Sequence, residues 1–149
     1  MPKIIIFIIF ILLNISVNSY GKDEYFRTLR NDTVNLRQGP SFDYPVKIFY
    51  KKKFLPVLIQ DSSNNFRKIR DHENNSGWIH ISQLSKKKAA ITIDDNLILF
   101  SSSTIFSNPI AVLEKGRLVR IKKCKEDWCK INSGEFKGWL QKKNLWGLL

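Results

Sequence analysis

The chain repeats itself. Val57-Leu58-Ile59, Phe66-Arg67-Lys68-Ile69, Gly77-Trp78-Ile79 and Leu84 recur as Val119-Arg120-Ile121, Trp128-Cys129-Lys130-Ile131, Gly138-Trp139-Leu140 and Leu145. The spacing is 62 residues for Val57/Val119, Phe66/Trp128 and Ile69/Ile131, and 61 for Trp78/Trp139 and Leu84/Leu145, so one loop differs by a single residue. Upstream, Val34-Asn35-Leu36-Arg37 parallels Leu97-Ile98-Leu99-Phe100, and Pro45-Val46 parallels Pro109-Ile110. A repeat of this kind fixes the fold problem before any other feature does. Each half must build a core from about 60 residues, and a domain that size buries only about 60% of its unfolded surface. Two aids are available: packing of one half on the other, through the joint and Trp146-Gly147-Leu148-Leu149, and a disulfide in the second half. Ser85-Lys86-Lys87-Lys88 is the polar joint, so the units are expected over residues 25–85 and 89–149.

Each half reads as short strands. Val34 and Leu36 alternate before the Gln38-Gly39-Pro40-Ser41 turn. Residues 54–59 form a short apolar run, Ser62-Ser63-Asn64-Asn65 is a turn cluster, and Phe66, Ile69, Trp78, Ile79 and Ile81 supply two more strands. No stretch after residue 20 holds a 3.6-residue apolar period for three turns. The pattern predicts an all-β fold of two small barrels. With 43% hydrophobic and 12% aromatic residues the chain has matter for two cores.

The first residues read differently. Lys3 precedes an unbroken apolar run over residues 4–13, and Val17 and Ser19 stand three and one positions before Tyr20. This is the pattern of a signal peptide over residues 1–19, and its apolar core of about 14 residues is short of the ~20 that span a bilayer. The expected location is therefore periplasmic or secreted, with membrane contact only during export; a retained anchor is the other reading. The formal charge of +12 becomes +11 without Lys3 and is shared by both halves. It favours anionic partners. Export removes the usual nucleic-acid partners and permits disulfides.

The string Val34-Asn35-Leu36-Arg37-Gln38-Gly39-Pro40-Ser41, with Tyr44-Pro45-Val46, Leu55-Pro56-Val57, Phe66-Arg67-Lys68-Ile69-Arg70-Asp71 and Gly77-Trp78-Ile79-His80, resembles the bacterial SH3 family. The second half is a weaker copy: Phe100-Ser101-Ser102-Ser103 replaces the Arg-x-Gly-Pro turn, which implies a degraded cleft there. In the first half, Phe66 stands where the family usually has Trp. The resemblance implies two tandem SH3-like barrels. Physical chemistry gives matching roles. Gly39 permits a positive φ ahead of Pro40. Gly77 and Gly138 let one strand approach another just before Trp78 and Trp139. A Trp can bury about 150–250 Å², a large share of so small a core.

Cys124 and Cys129 flank Lys125-Glu126-Asp127-Trp128, a plausible hairpin turn. Outside the cytosol such a pair is expected to close a disulfide, and the C-x4-C spacing does not suit a redox or nucleophilic pair. Alternation from Val119 and Ile121 puts Cys124 on the polar face and Cys129 with Ile131, and a bulge near Lys122-Lys123 would reconcile them. His72 and His80 are the only histidines and no ligand spacing surrounds them, so neither metal nor cofactor is expected. No nucleophile-elbow, P-loop or zinc-protease motif occurs. Bacterial SH3 repeats often accompany cell-wall peptidases, but the chain ends three residues after Trp146, so no appended catalytic domain and no enzyme activity are expected.

The candidate ligand residues are Arg37, Tyr44, Tyr50, Trp78 and His80, around the first turn and the strand that closes the sheet. Aromatics there can receive a peptide, and Arg37 can pair with a carboxylate. The bland alternatives stay open: Trp78 and Phe42 as core, Tyr44 as a brace for Pro45, the basic runs as a solvated surface. The expected function is a non-catalytic exported binding module for a cell-envelope peptide, peptidoglycan foremost. The alternatives are a periplasmic protein–protein adaptor and, third, a nucleic-acid binder.

Overall fold

The computed structural model describes residues 22–149, and the leader expected over residues 1–19 lies outside them. Seven strands make the first sheet: β1 (Tyr25–Leu29), β2 (Val34–Arg37), β3 (Val46–Tyr50), β4 (Pro56–Ser63), β5 (Phe66–Arg70), β6 (Ser76–His80) and β7 (Leu84–Ser85). Seven make the second: β8 (Ala89–Thr92), β9 (Leu97–Phe100), β10 (Pro109–Leu113), β11 (Leu118–Lys125), β12 (Trp128–Ser133), β13 (Phe136–Gln141) and β14 (Leu145–Trp146). The orders are β3-β2-β6-β5-β4-β1-β7 and β10-β9-β13-β12-β11-β8-β14. The second is the first shifted by seven, so the sequence repeat is a repeat of topology. The fold is all-β, two tandem SH3-like barrels. One 3₁₀ turn precedes the last strand of each, Ile81–Gln83 and Lys142–Asn144; Ile81 therefore lies in a turn rather than a strand.

Chain closure explains the glycines. A Cβ on Gly77 would stand 2.6 Å from the Arg37 carbonyl oxygen and 2.8 Å from Leu36 Cγ. One on Gly138 would stand 2.6 Å from the Phe100 carbonyl oxygen and 2.7 Å from Leu99 Cγ. No side chain fits at either place, so β6 and β13 can close on β2 and β9 only through glycine. The neighbours Ile79 and Leu140 then point inward and are fully buried.

Hairpin geometry accounts for the disulfide. Asn64 and Glu126, 62 residues apart, both take positive φ (47° and 53°), and each opens a two-residue turn. In β11–β12, Ile121 faces Ile131 but Lys123 faces Lys130, which leaves Lys122 as the extra residue of a bulge. The bulge turns Cys124 towards Cys129, and the two close a disulfide across a Cα separation of 4.0 Å. The first repeat has the same bulge at Gln60, between the pairs Ile59–Ile69 and Asp61–Lys68.

The two cores meet. Leu29, Val34, Leu36, Val57, Ile59, Ile69 and Ile79 form the first, and Ile91 of β8 is buried among them. Leu97, Leu99, Val119, Cys129, Ile131 and Leu140 form the second. Trp146 packs edge-on against Phe26 at 4.9 Å, and the Arg120 guanidinium lies 3.6 Å over the Phe54 ring. Thr28 donates its hydroxyl to the Lys87 carbonyl at 2.7 Å.

Tyr50, proposed above as a ligand contact, belongs to the first core instead. It is the last residue of β3, where alternation turns its ring inward, and only 9% of it is exposed. Its hydroxyl donates to Asp71 Oδ2 at 2.8 Å. Asp71 is itself buried and also accepts from the Glu73 and Asn75 amides at 2.9 and 2.8 Å and from Asn75 Nδ2 at 2.9 Å. One carboxylate thus shapes the turn over residues 71–75 and ties it to β3. A buried anion is tolerable only when its lone pairs are taken up in this way.

Two outcomes follow from these contacts. Gly77→Ala forces a Cβ into backbone and is expected to cost about 2–4 kcal/mol in urea unfolding. Gly116→Ala, at φ +80° with open space around it, is the control and should cost only about 1 kcal/mol; equal losses would refute the close-approach account. Burial, then the hydrogen bond to Asp71, raise the Tyr50 phenol far above its ordinary pKa. The unfolded phenol ionises near pH 10 while the folded one keeps its proton. Its contribution is therefore complete below about pH 10 and falls by about 1.4 kcal/mol per pH unit above it. Tyr50→Phe is expected to lose about 1–3 kcal/mol at neutral pH, with the gap to the parent protein shrinking above about pH 10. A gap that holds constant across that range would contradict the assignment.

Candidate functional site

The candidate site is built on β2, β6 and the loop over residues 38–45. Arg37 ends β2 opposite Trp78 of β6. Its Nη1 donates to the carbonyls of Phe42 and Tyr44 at 3.2 and 2.8 Å, and its guanidinium lies 5.4 Å over the Phe42 ring. Arg37 was expected to meet a ligand carboxylate; in the structure it first holds the loop down on the sheet. The Gln38 amide closes the loop base on the Pro45 carbonyl at 3.1 Å.

Gly39 works differently from the expectation. Its φ is not among the positive ones. A Cβ there would come within 2.5 Å of the Tyr44 ring, so Gly39 is a seat for that ring. Tyr44 is thereby held flat against the loop with 47% of its surface exposed.

Beside it stands a cluster of three rings. Phe66 of β5 and His80 of β6 are cross-strand partners with centroids 5.1 Å apart. Phe42, at the loop tip, lies 5.2 Å from Phe66 and 5.1 Å from His80. Phe66 is buried beneath the cluster, whereas Phe42 is 64% exposed, so the core reading of Phe42 does not hold. His80 Nδ1 accepts from the Ser82 amide at 3.3 Å and lies 2.7 Å from Ser82 Oγ. Nδ1 acting as acceptor leaves the proton of the neutral ring on Nε2. His80 therefore caps the 3₁₀ turn as well as bordering the site.

Trp78 is not a core residue either. Gly77 and Ile79 point inward, so Trp78 and His80 share the outer face, and Trp78 is half-buried between its strand partners Arg37 and Lys68. Trp139 is half-buried in the same way in the second barrel. The structure thus brings Arg37, Tyr44, Trp78 and His80 to one face of the first barrel and leaves Tyr50 beneath it. Reading the sequence missed Phe66, whose place opposite His80 follows from the hairpin register. Among the described residues no group of three His, Cys, Asp or Glu side chains is arranged to hold a metal.

The second barrel carries a different surface at the matching place. Phe100 stands where Arg37 does, opposite Trp139, and packs edge-on against Trp128 at 5.8 Å. No guanidinium holds the loop over residues 101–108. Ser107 does so, donating its hydroxyl to the Thr104 carbonyl at 2.8 Å and accepting from the Ser102 amide at 3.2 Å. Phe106 at its tip is 91% exposed.

No curated protein matches the chain. Solved structures similar to it include the following three. NlpC2 from Trichomonas vaginalis has 16% identity and a TM-score of 0.38, over 86% of this chain and 49% of that one. NlpC1 from Trichomonas vaginalis has 15% and 0.38, over 85% and 47%. An NlpC/P60 family protein from Bacillus cereus ATCC 10987 has 9% and 0.37, over 81% and 55%. The chain spans about half the length of these structures. The family model of the bacterial SH3 domain matches residues 30–86 and 104–147, one segment in each sheet, and the chain belongs to that family.

Proposed function

We propose that the protein is a non-catalytic, exported binding module that takes a peptide of the cell envelope, foremost the peptide of peptidoglycan, on the loop face of its first barrel. The observation that carries this reading is the loop that Arg37 fastens to the sheet. Fastening holds Phe42 and Tyr44 exposed beside Trp78 and His80 without leaving their order to be fixed on binding. Pre-ordered aromatic surface is where a short peptide gains most for the least entropy lost. The basic excess of both halves supplies attraction to peptide carboxylates. Residues 1–19 would deliver the chain to a periplasmic or secreted location.

The runner-up is an adaptor for another envelope protein. The Trp146 end is engaged with Phe26 inside the chain. What favours this reading now is the exposed cross-strand pair Ile98 and Val112 on the second barrel, 43% and 62% exposed.

Sedimentation with insoluble peptidoglycan separates the two. The purified protein is expected to pellet with the polymer at low salt and to do so less at high salt. Phe42→Ala/Tyr44→Ala should cut the bound fraction at least fivefold without shifting the urea midpoint by more than about 0.5 kcal/mol. Failure to pellet at low salt ends the peptidoglycan reading, and a crosslinked pull-down that recovers one dominant protein would replace it with the adaptor.

A further inference from the structure

A second place in the first barrel has the chemistry of a site. Beside β1 opens a cleft of about 470 Å³, with Arg27, Arg30, Arg67 and Lys86 around Tyr25 and Leu84. No carboxylate lines it. The ion pairs among the described residues are Lys22–Asp61 and His72–Glu73, so none of the four cations forms one; Asp23 and Asp61 lie in the adjoining cleft that Tyr25 and Arg67 also border. It shares no residue with the face of Arg37, Tyr44, Trp78 and His80.

The guanidiniums are held in place by the backbone. Arg27 Nη1 donates to the Phe26 carbonyl at 3.0 Å, and its guanidinium lies 4.4 Å over the Tyr25 ring. Arg30 Nε donates to the Leu84 carbonyl at 3.0 Å. Arg67 Nη1 donates to the carbonyls of Asn64 and Phe66 at 3.0 and 2.9 Å. A guanidinium has five N–H donors, so each anchor leaves donors over. Arg27 and Arg67 are half-buried, where unpaired like charges repel across less water.

The second barrel is the internal comparison. Arg27 pairs with Val57 as Ala90 pairs with Val119, and Arg67 pairs with Ile79 as Cys129 pairs with Leu140. Ala90 and Cys129 are fully buried parts of their core. The same skeleton therefore accepts small apolar residues at both positions. The first barrel instead gathers cations there, at an electrostatic cost that a bound anion would remove.

We propose that this cleft binds a phosphate-bearing anion. Three guanidiniums and an ammonium exceed what one carboxylate can offset. A phosphoryl group offers about −1.5 to −2 charge and three acceptor oxygens, and guanidinium forks match it in geometry. The apolar wall of Tyr25 and Leu84 receives whatever the phosphate is attached to.

The test is calorimetric titration of the full chain with inorganic pyrophosphate, alongside flotation with phosphatidylglycerol vesicles and with phosphatidylcholine vesicles. Saturable binding is expected in at least one anionic arm. Pyrophosphate binding would identify a soluble phosphoester as the source, and vesicle binding alone a lipid headgroup. Arg27→Gln/Arg67→Gln is expected to weaken binding at least tenfold. The exposed pair Arg30→Gln/Lys86→Gln should weaken it at least threefold and decides the matter if the first variant fails to fold. Lys51→Gln/Lys52→Gln removes the same charge elsewhere and should change affinity less than twofold. No binding in any anionic arm, or an equal loss in the Lys51/Lys52 control, would overturn the proposal.

Discussion

Everything in this protein hangs on one steric condition met twice: a strand must pass a neighbouring carbonyl at a distance that admits no side chain. Gly77 against Arg37 and Gly138 against Phe100 satisfy it. Because β6 lies so close to β2, Arg37 and Trp78 become partners, and the pleat then decides which side each neighbour takes. Ile79 goes to the core and His80 to the outside. The candidate face is thus a by-product of closing the barrel. Its one added device is the Arg37 side chain, which recruits the loop over residues 38–45 to that face.

Much of this was legible in the sequence, for a physical reason. Repeats, turns, bulges and close glycine approaches are local: a few adjacent residues decide them. The bulge at Lys122 is the sharpest case, since alternation could not otherwise join Cys124 to Cys129, and the register shift falls there. What was not legible depends on partners far along the chain. Alternation assigns Tyr50 a side but cannot say that Asp71 waits on that side with a buried carboxylate. For Trp78 the sequence left a core place open beside the candidate contact, because a large apolar ring is usually buried, and its strand neighbours Arg37 and Lys68 put it on the outer face. Gly39 looked like a backbone requirement and proves to be a side-chain one, set by Tyr44 five positions on.

The two barrels show how far filling can drift on a constant skeleton. Topology, bulge positions and glycine contacts coincide. At the interior position of Tyr50, at the end of β3, the second copy has Leu113. At that of Asp71, 62 residues on, it has Ser133, which accepts from Arg117 Nε at 3.1 Å. The second barrel replaces a polar tie with an apolar side chain and a shorter hydrogen-bonding group. It closes its hairpin with a disulfide, where the first pairs Ser62 with Arg67. Both solutions meet the same need, which is to stiffen a core too small to be stable by area alone. Divergence of the loop faces follows the same logic: once the serines of residues 101–108 hold the second loop, nothing requires an arginine at Phe100.

The burial of Ile91 within the first core has a bearing on how the chain comes into being. A polypeptide emerges from the ribosome amino end first, and domains ordinarily finish in that order. Here the earlier barrel lacks a piece that only the later segment carries. Its core takes in Ile91 of β8, and its flank at Phe26 packs against Trp146, near the carboxyl end. Completion of the first barrel thus draws on residues that lie beyond its own sheet, Ile91 in the core and Trp146 on the flank.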